Sequence, residues 1–128
     1  MSLRSERNRQ LGLKINQEVW NEGRIDRIAD YFAENFISDR RPYGLTQGLE
    51  ALRAAVERSH AAFSDFKEEI RAVVADDERV VVHFTIKGRH TGVWGPLQPT
   101  GREVAFDEIV IMEVQDGKVT RLTGVIDN

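Results

Sequence analysis

Two carboxylates and one histidine in the second half of the chain have the side chains needed for proton transfer. If Gln115 pairs with Lys118 across a predicted hairpin turn, Glu108 and Asp127 lie diagonal to each other on one face of the sheet. Two carboxylates that face one apolar pocket raise the pKa of one of them, because a second negative charge there is disfavoured. His90, at the end of an earlier strand, could hydrogen-bond a substrate oxygen or relay a proton.

Each of these residues also has a purely structural interpretation. Asp127 is penultimate, and such residues are commonly solvated at a frayed end. Glu108 could pair with Arg121 or another cation, and His90 could be a histidine capped at a strand end. The three histidines are scattered without the spacing of metal ligands, so no metal site is predicted.

The first half of the chain predicts three amphipathic helices, because apolar residues recur there every three or four positions. Gly23 would end the first helix and Thr46 could cap the third. Residues 38–48 contain proline and glycine and are predicted to form the loop between the second and third helices. The three apolar stripes are Leu11, Ile15, Val19 and Trp20; Ile25, Ile28, Ala29, Phe32 and Phe36; and Leu49, Leu52, Val56, His60 and Phe63.

The hydrophobic period changes near Ser64, where helices give way to strands. The pair Asp116-Gly117 predicts a two-residue hairpin turn, and Gln115 opposite Lys118 then fixes the register. The face that would line the pocket carries Val104, Phe106, Glu108, Val110, Met112, Val114, Val119, Arg121, Thr123, Val125 and Asp127.

An earlier hairpin is predicted with a three-residue loop, Asp76-Asp77-Glu78, because this length gives one apolar face. His83 then points away from that face, and His90 returns to it if the strand continues past Gly88. Residues 91–101 form a loop that holds Trp94. The apolar face comprises Phe66, Ile70, Ala72, Val74, Val80, Val82, Phe84 and Ile86, and Lys67, Glu69, Arg71 and Lys87 lie opposite.

These elements predict an α+β fold, with three N-terminal helices packed on a curved antiparallel sheet in a cone that has one pocket. Residues 1–128 would form one domain. The outer face also carries apolar residues, which predicts a homodimer through that face, unless a helix or the chain's own ends cover it. The outer apolar residues are Ala105, Ile109, Ile111, Leu122 and Ile126.

Composition excludes several classes of function. The chain has a net charge of −3 with interspersed charges, so no basic stripe is available for nucleic acid or anionic lipid. It has no cysteine for disulfides and no apolar run long enough for a membrane span. The polar N-terminal segment is unlike a signal peptide, so we expect a cytoplasmic protein.

Several motifs together resemble the SnoaL-like polyketide cyclases of the nuclear-transport-factor-2-like superfamily. The resemblance covers nearly the whole chain, with its motifs in the expected order. The motifs are Trp20-Asn21-Glu22-Gly23, Gly88-Arg89-His90-Thr91-Gly92, Pro99-Thr100-Gly101-Arg102, Asp116-Gly117-Lys118-Val119, and Asp127.

The resemblance implies intramolecular aldol cyclisation of a polyketide, a reaction that needs no metal or cofactor. Asp127 matches the family's acid/base, and His90 would be its polar helper. An apolar pocket suits such a carboxyl, because desolvation raises its pKa. The expected ligand is a small apolar molecule. The other predicted substrate-binding residues are Glu108, Thr123, Arg121, Trp20, Tyr31, Tyr43 and Trp94.

The chain also departs from the family pattern. Asp39 stands where members often have histidine, Thr123 where they usually have tryptophan, and Glu113 where arginine is common. These departures keep two alternatives open. One is a non-catalytic small-molecule-binding or dimerisation module, and the other is an isomerase or hydrolase on the same fold.

Overall fold

The computed structural model describes residues 2–41 and 44–127. The helices are α1 (Leu3–Lys14), which continues as a π-helix (Ile15–Asn21), a 3-10 turn (Ile25–Arg27) that leads into α2 (Ile28–Tyr31), and α3 (Leu49–Ala62). The strands are β1 (Phe32–Arg41), β2 (Gly44–Gln47), β3 (Phe63–Ala75), β4 (Arg79–His90), β5 (Glu103–Gln115) and β6 (Lys118–Asp127). The predicted α+β class, with three helices, is confirmed for the described residues.

The six strands form one sheet in the order β2-β1-β6-β5-β4-β3. The prediction of a purely antiparallel sheet is wrong, because β1 runs parallel to β6. The predicted second helix is shorter than expected, because helical structure ends at Tyr31 and Phe32 and Phe36 lie on β1. The prediction of a loop over residues 38–48 is wrong for Ser38–Arg41 and Gly44–Gln47, which are strand. Phe32 and Phe36 are four residues apart, a spacing that fits both a helix and a strand. Phe36 and Ser38 are both buried while their neighbours are less so, which is the strand period.

The first helix extends much further toward the N-terminus than its apolar stripe predicts. Ser2 caps it, accepting a hydrogen bond at Oγ from the Ser5 backbone N–H at 3.0 Å. Gly12 allows α1 to lie close to the sheet, since a Cβ there would meet Val80 Cγ1 at 2.8 Å. The predicted end is confirmed, because Gly23 follows the helix with a φ of +67°.

The third helix is confirmed over Leu49–Ala62, but its predicted cap is wrong. Gly48 is the N-cap residue, and Thr46 lies within β2. Phe63 already belongs to β3 rather than to the helical stripe. α3 packs against β3 and β1, and α1 packs against β3 and β4. The buried core includes Ile15, Val19, Trp20, Ile28, Phe32, Phe36, Leu52, Val56, Phe84, Val110, Met112 and Leu122.

The three-residue connection Asp76–Glu78 between β3 and β4 is confirmed. The register shifts by one residue between Ile70 and Ala72, however, so the predicted inward positions of Ala72 and Val74 are wrong. Val74 is 66% exposed. Because the shift lies beyond them along β3, Phe66 and Ile70 keep their predicted face, and His83 points outward as predicted.

The turn Asp116-Gly117 between β5 and β6 is confirmed, with both residues at positive φ. The first pairs, Gln115 with Lys118 and Val114 with Val119, are as predicted, but the next pair is Glu113 with Arg121. A β-bulge at Thr120 therefore shifts the rest of the strand by one residue.

A shift of one residue moves every later side chain of β6 to the opposite face. Leu122 and Ile126, predicted on the outer face, pair with Met112 and Glu108 of the inner face, and Leu122 is only 3% exposed. The residues predicted inward, Arg121, Thr123, Val125 and Asp127, lie on the outer face of the sheet.

The connection between β4 and β5 is irregular, as predicted, and Trp94 within it forms a short bridge with Leu97. Within residues 2–41 and 44–127, no helix is both long and apolar enough to cross a membrane.

Candidate active site

A small cavity lies between the first helix and the inner face of the sheet. Its volume is about 20 Å³, which is close to the space that one water molecule needs. Most of its walls are apolar, so the few polar groups there are poorly solvated. The lining residues are Gly12, Ile15, Asn16, Trp20, Arg40, Glu68, Val82, Phe84, Val110, Met112 and Leu122.

Glu68 is a buried carboxyl at this cavity, with an exposure of 4%. It lies on β3 between Phe66 and Ile70 and pairs across the sheet with Ile86. Asn16 Nδ2 donates a hydrogen bond to Glu68 Oε1 at 2.9 Å. Asn21 holds the backbone of the same residue, because its Oδ1 accepts from the Glu68 N–H at 2.6 Å and its Nδ2 donates to the Glu68 carbonyl at 3.1 Å.

Glu108 is a second buried carboxyl, carried by β5, with an exposure of 1%. Neither of its carboxyl oxygens has a hydrogen-bond partner among the described residues. Arg40 Nη1 lies 3.6 Å from Oε2 and is its ionic partner. Gly124 of β6 makes room for the carboxyl, since a Cβ at that position would approach Glu108 Oε2 to 3.0 Å.

Arg40 forms an ion pair with Glu108, acts electrostatically on Glu68, and contacts Trp20 in the cavity wall. Its guanidinium carbon lies 4.9 Å from the centre of the Trp20 ring, which is within the range of a cation–π contact. The Arg40 side chain is 20% exposed, whereas that of Glu108 is fully buried. Arg40 is thus a partly exposed lining residue beside a fully buried carboxyl.

The two carboxyls are electrostatically coupled. Burial raises the pKa of Glu68 to about 8, the negative charge of Glu108 adds to this rise, and Arg40 and the Asn16 hydrogen bond oppose it. Burial also raises the pKa of Glu108, against the attraction of Arg40. Because the pKa of Glu68 is raised to about 8, the pair carries on average fewer than two charges at neutral pH.

His90 is buried as predicted, but away from these carboxyls. Its Nδ1 lies 3.2 Å from Thr100 Oγ1, its ring packs 5.5 Å from the Phe63 ring, and its Nε2 has no partner among the described residues. Phe84, which pairs with Glu108, is six residues before His90 on β4. At a rise of about 3.3 Å per residue, this places His90 roughly 20 Å along the strand from Glu108.

Asp127 does not share a face with Glu108, because of the bulge at Thr120. It is exposed and pairs with Asp107 on the outer face of the sheet. The prediction that Glu108 and Asp127 lie on the same face of the sheet is therefore wrong.

Arg121 and Thr123 lie on the outer face as well. Arg121 contacts Asp39 Oδ2 at 3.8 Å and Glu113 Oε2 at 3.9 Å, and Thr123 pairs with Asp39 across the parallel strands. The three positions that depart from the family pattern are therefore neighbours on the outer face; they are Asp39, Glu113 and Thr123. The alternative pairing of Glu108 with a cation is confirmed, but the cation is Arg40 rather than Arg121.

Of the predicted aromatic residues, Trp20 lines the cavity. Tyr31 instead donates its hydroxyl hydrogen to Glu18 Oε2 at 2.9 Å and accepts from Arg27, and this hydrogen bond lowers the pKa of Glu18. Trp94 packs 5.1 Å from the Phe63 ring, near His90. Tyr43 lies outside the described residues.

Sequence reasoning missed Glu68, Arg40 and Asn16 as cavity residues. The signal for Glu68 was its position between Phe66 and Ile70 in an alternating strand. Arg40 continues the alternation of Phe36 and Ser38, which becomes visible once that segment is assigned to a strand. Asn16 continues a helical stripe with the buried Gly12.

The fold is a sheet covered on one face by helices, and its apolar interior holds two buried carboxyls, Glu68 and Glu108. The sequence model of the SnoaL-like polyketide cyclases matches residues 11–128. The chain belongs to this family.

Individual relatives agree with the assignment. The chain is 27% identical over 107 residues to nogalonic acid methyl ester cyclase from Streptomyces nogalater, covering 79% of this chain and 77% of the relative. Its fold matches a SnoaL-like protein from Jannaschia sp. CCS1 with a TM-score of 0.91 at 20% identity, covering 99% of this chain and 90% of the other. A SnoaL-like polyketide cyclase from Agrobacterium tumefaciens gives a TM-score of 0.77 at 22% identity, with 92% and 89% covered.

Proposed function

We propose that the protein is a cyclase-type enzyme that uses Glu68 and Glu108 as an acid/base pair on a small, largely apolar carbonyl compound. The observation that carries this proposal is the pair itself: two buried carboxyls, coupled to each other, with one guanidinium beside them. Pairs of titratable groups whose surroundings separate their protonation states are typical of acid/base sites.

The roles follow from the surroundings of each carboxyl. Glu108 has Arg40 beside it and is the ionised member, so it removes the proton α to a substrate carbonyl. The resulting enolate attacks a second carbonyl, and protonated Glu68 donates its proton to the new alkoxide. Proton return from Glu108 to Glu68 restores the pair. The net reaction is an isomerisation, so this mechanism needs no metal, cofactor or co-substrate.

Substrate entry requires the cavity to enlarge, because about 20 Å³ accommodates little more than a water molecule. Arg40 is the residue whose movement would do this, since its partly exposed side chain is the ionic partner of buried Glu108 and rests on the Trp20 ring. Outward rotation of Arg40 would open the cavity to Glu108 while keeping a cation near the developing oxyanion.

The first test is turnover of nogalonic acid methyl ester, together with exchange of the α-protons of a small β-keto ester in deuterium oxide. Glu68→Gln and Glu108→Gln should each reduce the rate by about 10²-fold or more. Glu69→Gln is the matched control, because that carboxyl is on the outer face and pairs with Lys87. Wild-type rates in both pocket variants, or no reaction of either probe with the native protein, would overturn the proposal.

A non-catalytic dimerisation module is the second candidate, favoured by the small size of the cavity and by the outer face of the sheet. Ile109, Ile111 and Val125 are 47%, 40% and 59% exposed and are neighbours on that face. At its border, His83 and Thr85 bind Asp107, and the hydrogen bond from His83 holds the pKa of Asp107 below its ordinary value. We propose that a second copy of the chain covers this patch, with or without catalysis.

A further inference from the structure

The π-helix Ile15–Asn21 brings two asparagines together at Glu68. In this segment the backbone N–H of Glu22 bonds the carbonyl of Gln17 at 3.0 Å, so the hydrogen bond joins residues five apart rather than four apart as in an α-helix. Asn16 and Asn21, five residues apart, therefore face the same side, and Asn21 Nδ2 lies 3.4 Å from Asn16 Oδ1. In an ordinary α-helix, with 3.6 residues per turn, residues five apart point about 140° away from each other.

Both amides are directed at Glu68, and each makes a different contact. Asn21 bonds both the backbone N–H and the carbonyl of Glu68, whereas Asn16 bonds only the carboxyl oxygen Oε1. The charged groups that face this carboxyl from the sheet are Glu108 on β5 and Arg40 on β1. The π-helix supplies the uncharged side of the site.

The helix end is held in place independently of Glu68. His60 Nε2 lies 2.7 Å from the Trp20 carbonyl and donates to it, and the Arg24 N–H bonds the Glu18 carbonyl at 3.0 Å. The Trp20 carbonyl is among those that a helix leaves without an internal partner at its end. His60 of α3 therefore helps to fix the segment in which Asn16 and Asn21 lie.

We propose that the π-helix is a positioning device: it sets Asn16 and Asn21 as an amide clamp that fixes the place and orientation of the Glu68 carboxyl. The inference rests on the proposed function, because its purpose is to present an acid to the substrate. Asn16 and Asn21 are positioning residues, since they act through Glu68. π-helical segments are rare and occur frequently at functional sites.

The test follows the Glu68 carboxyl directly by carbon-detected NMR, so it does not depend on turnover. Asn16→Leu removes a hydrogen bond to the carboxylate with little change in shape, so the Glu68 pKa should rise by about one pH unit. Gln17→Ala is the control, because Gln17 is exposed in the same π-helix and bonds only Glu22 among the described residues. An unchanged Glu68 pKa in Asn16→Leu, or an equal shift in the control, would overturn the clamp.

A second variant tests the other half of the clamp. Asn21→Ala removes both contacts of Asn21 with the Glu68 backbone, so the Glu68 amide should lose protection from hydrogen exchange. The circular dichroism spectrum reports whether the variant still folds. Retained protection of the Glu68 amide in a folded variant would contradict the proposal.

Loss of the clamp and loss of the proposed function give different results. If Asn16→Leu shifts the Glu68 pKa but Glu68→Gln leaves turnover unchanged, the positioning holds and the catalytic role fails. If Glu68→Gln abolishes turnover but the pKa is unmoved in Asn16→Leu, the catalytic role holds and the clamp fails.

Discussion

At the scale of single residues, the site depends on how two carboxyls share one buried space. Glu68 and Glu108 are almost inaccessible, and one guanidinium, that of Arg40, lies beside Glu108. Removal of a charge from water is costly, so the pair lowers its energy by holding a proton. This proton is what makes the arrangement useful for proton transfer.

The first prediction concerns the pH dependence of catalysis. Glu68 acts as an acid only while protonated, and its pKa is raised to about 8. The rate of cyclisation or of α-proton exchange should therefore fall as the pH rises through about 8. A rate profile that is flat from pH 6 to 9 would remove Glu68 from the role of acid.

The same carboxyl makes stability depend on pH. Because the folded-state pKa of about 8 lies above the ordinary value of 4.5, the folded protein binds a proton more tightly than the unfolded chain. The stabilisation is complete below about pH 4.5 and is lost as the pH rises toward 8. Glu68→Gln should weaken this pH dependence, so the unfolding temperature of the variant relative to wild type should be higher at pH 8 than at pH 5. If the unfolding temperatures of the two proteins change with pH in parallel, the burial of Glu68 is contradicted.

Asp127 provides the sharpest contrast between resemblance and structure. The family motif implies that Asp127→Asn abolishes turnover, whereas its exposed position on the outer face predicts a rate within about threefold of wild type. Measurement of both Asp127→Asn and Glu108→Gln on one substrate decides which carboxyl transfers the proton.

At the scale of elements, the two glycines of the Gly88-Arg89-His90-Thr91-Gly92 motif allow close packing against the chain where α3 ends and β3 begins. A Cβ on Gly88 would meet Phe63 Cβ at 2.8 Å, and one on Gly92 would meet the Ala61 carbonyl oxygen at 2.1 Å. The motif is thus a packing requirement at the end of β4, with His90 stacked beside it.

Gly92→Ala should therefore destabilise the fold strongly, because backbone atoms must move to admit the methyl group. We expect a loss of roughly 2 kcal/mol or more in the free energy of unfolding, measured by urea denaturation. Thr91→Ala, at the adjacent exposed position, should change it by less than about 0.5 kcal/mol. Equal free energies of unfolding for the two variants would contradict this prediction, because they would show that the junction of α3 and β3 accommodates the methyl group.

Local patterns predicted the elements well where one period dominated. The stripe of α3, the three-residue connection at Asp76 and the Asp116-Gly117 turn were all legible in the sequence. The face of β6 was not, since one extra residue at Thr120 reverses every later side chain and leaves no mark in composition. The apolar pair Phe32 and Phe36 was ambiguous between helix and strand, and that ambiguity concealed Arg40 from the candidate site.

At the scale of the whole molecule, helices cover one face of the sheet and leave the other with an exposed apolar centre. A second copy of the chain would bury this patch and place its charged border, including Arg121 with Asp39, at the rim of an interface. The candidate site lies on the opposite face, so dimerisation and catalysis are separable by mutation.

Ile109→Asp should therefore shift the protein from dimer to monomer in sedimentation velocity without loss of folding. Leu3→Asp is the control, because Leu3 is also an exposed apolar residue but lies on α1 and not on the outer face of the sheet. A native protein that sediments as a monomer at micromolar concentration would contradict the proposed dimer.

The most direct test of the central claim is a titration of the Glu68 and Glu108 carboxyl carbons by NMR in the native protein, with Glu68→Gln and Glu108→Gln for assignment. We predict that Glu68 titrates near pH 8 and that its pKa falls in Glu108→Gln, because the neighbouring charge is removed. Titration of both carboxyls near the ordinary value of 4.5, with no effect of either substitution on the other, would contradict a coupled acid/base pair.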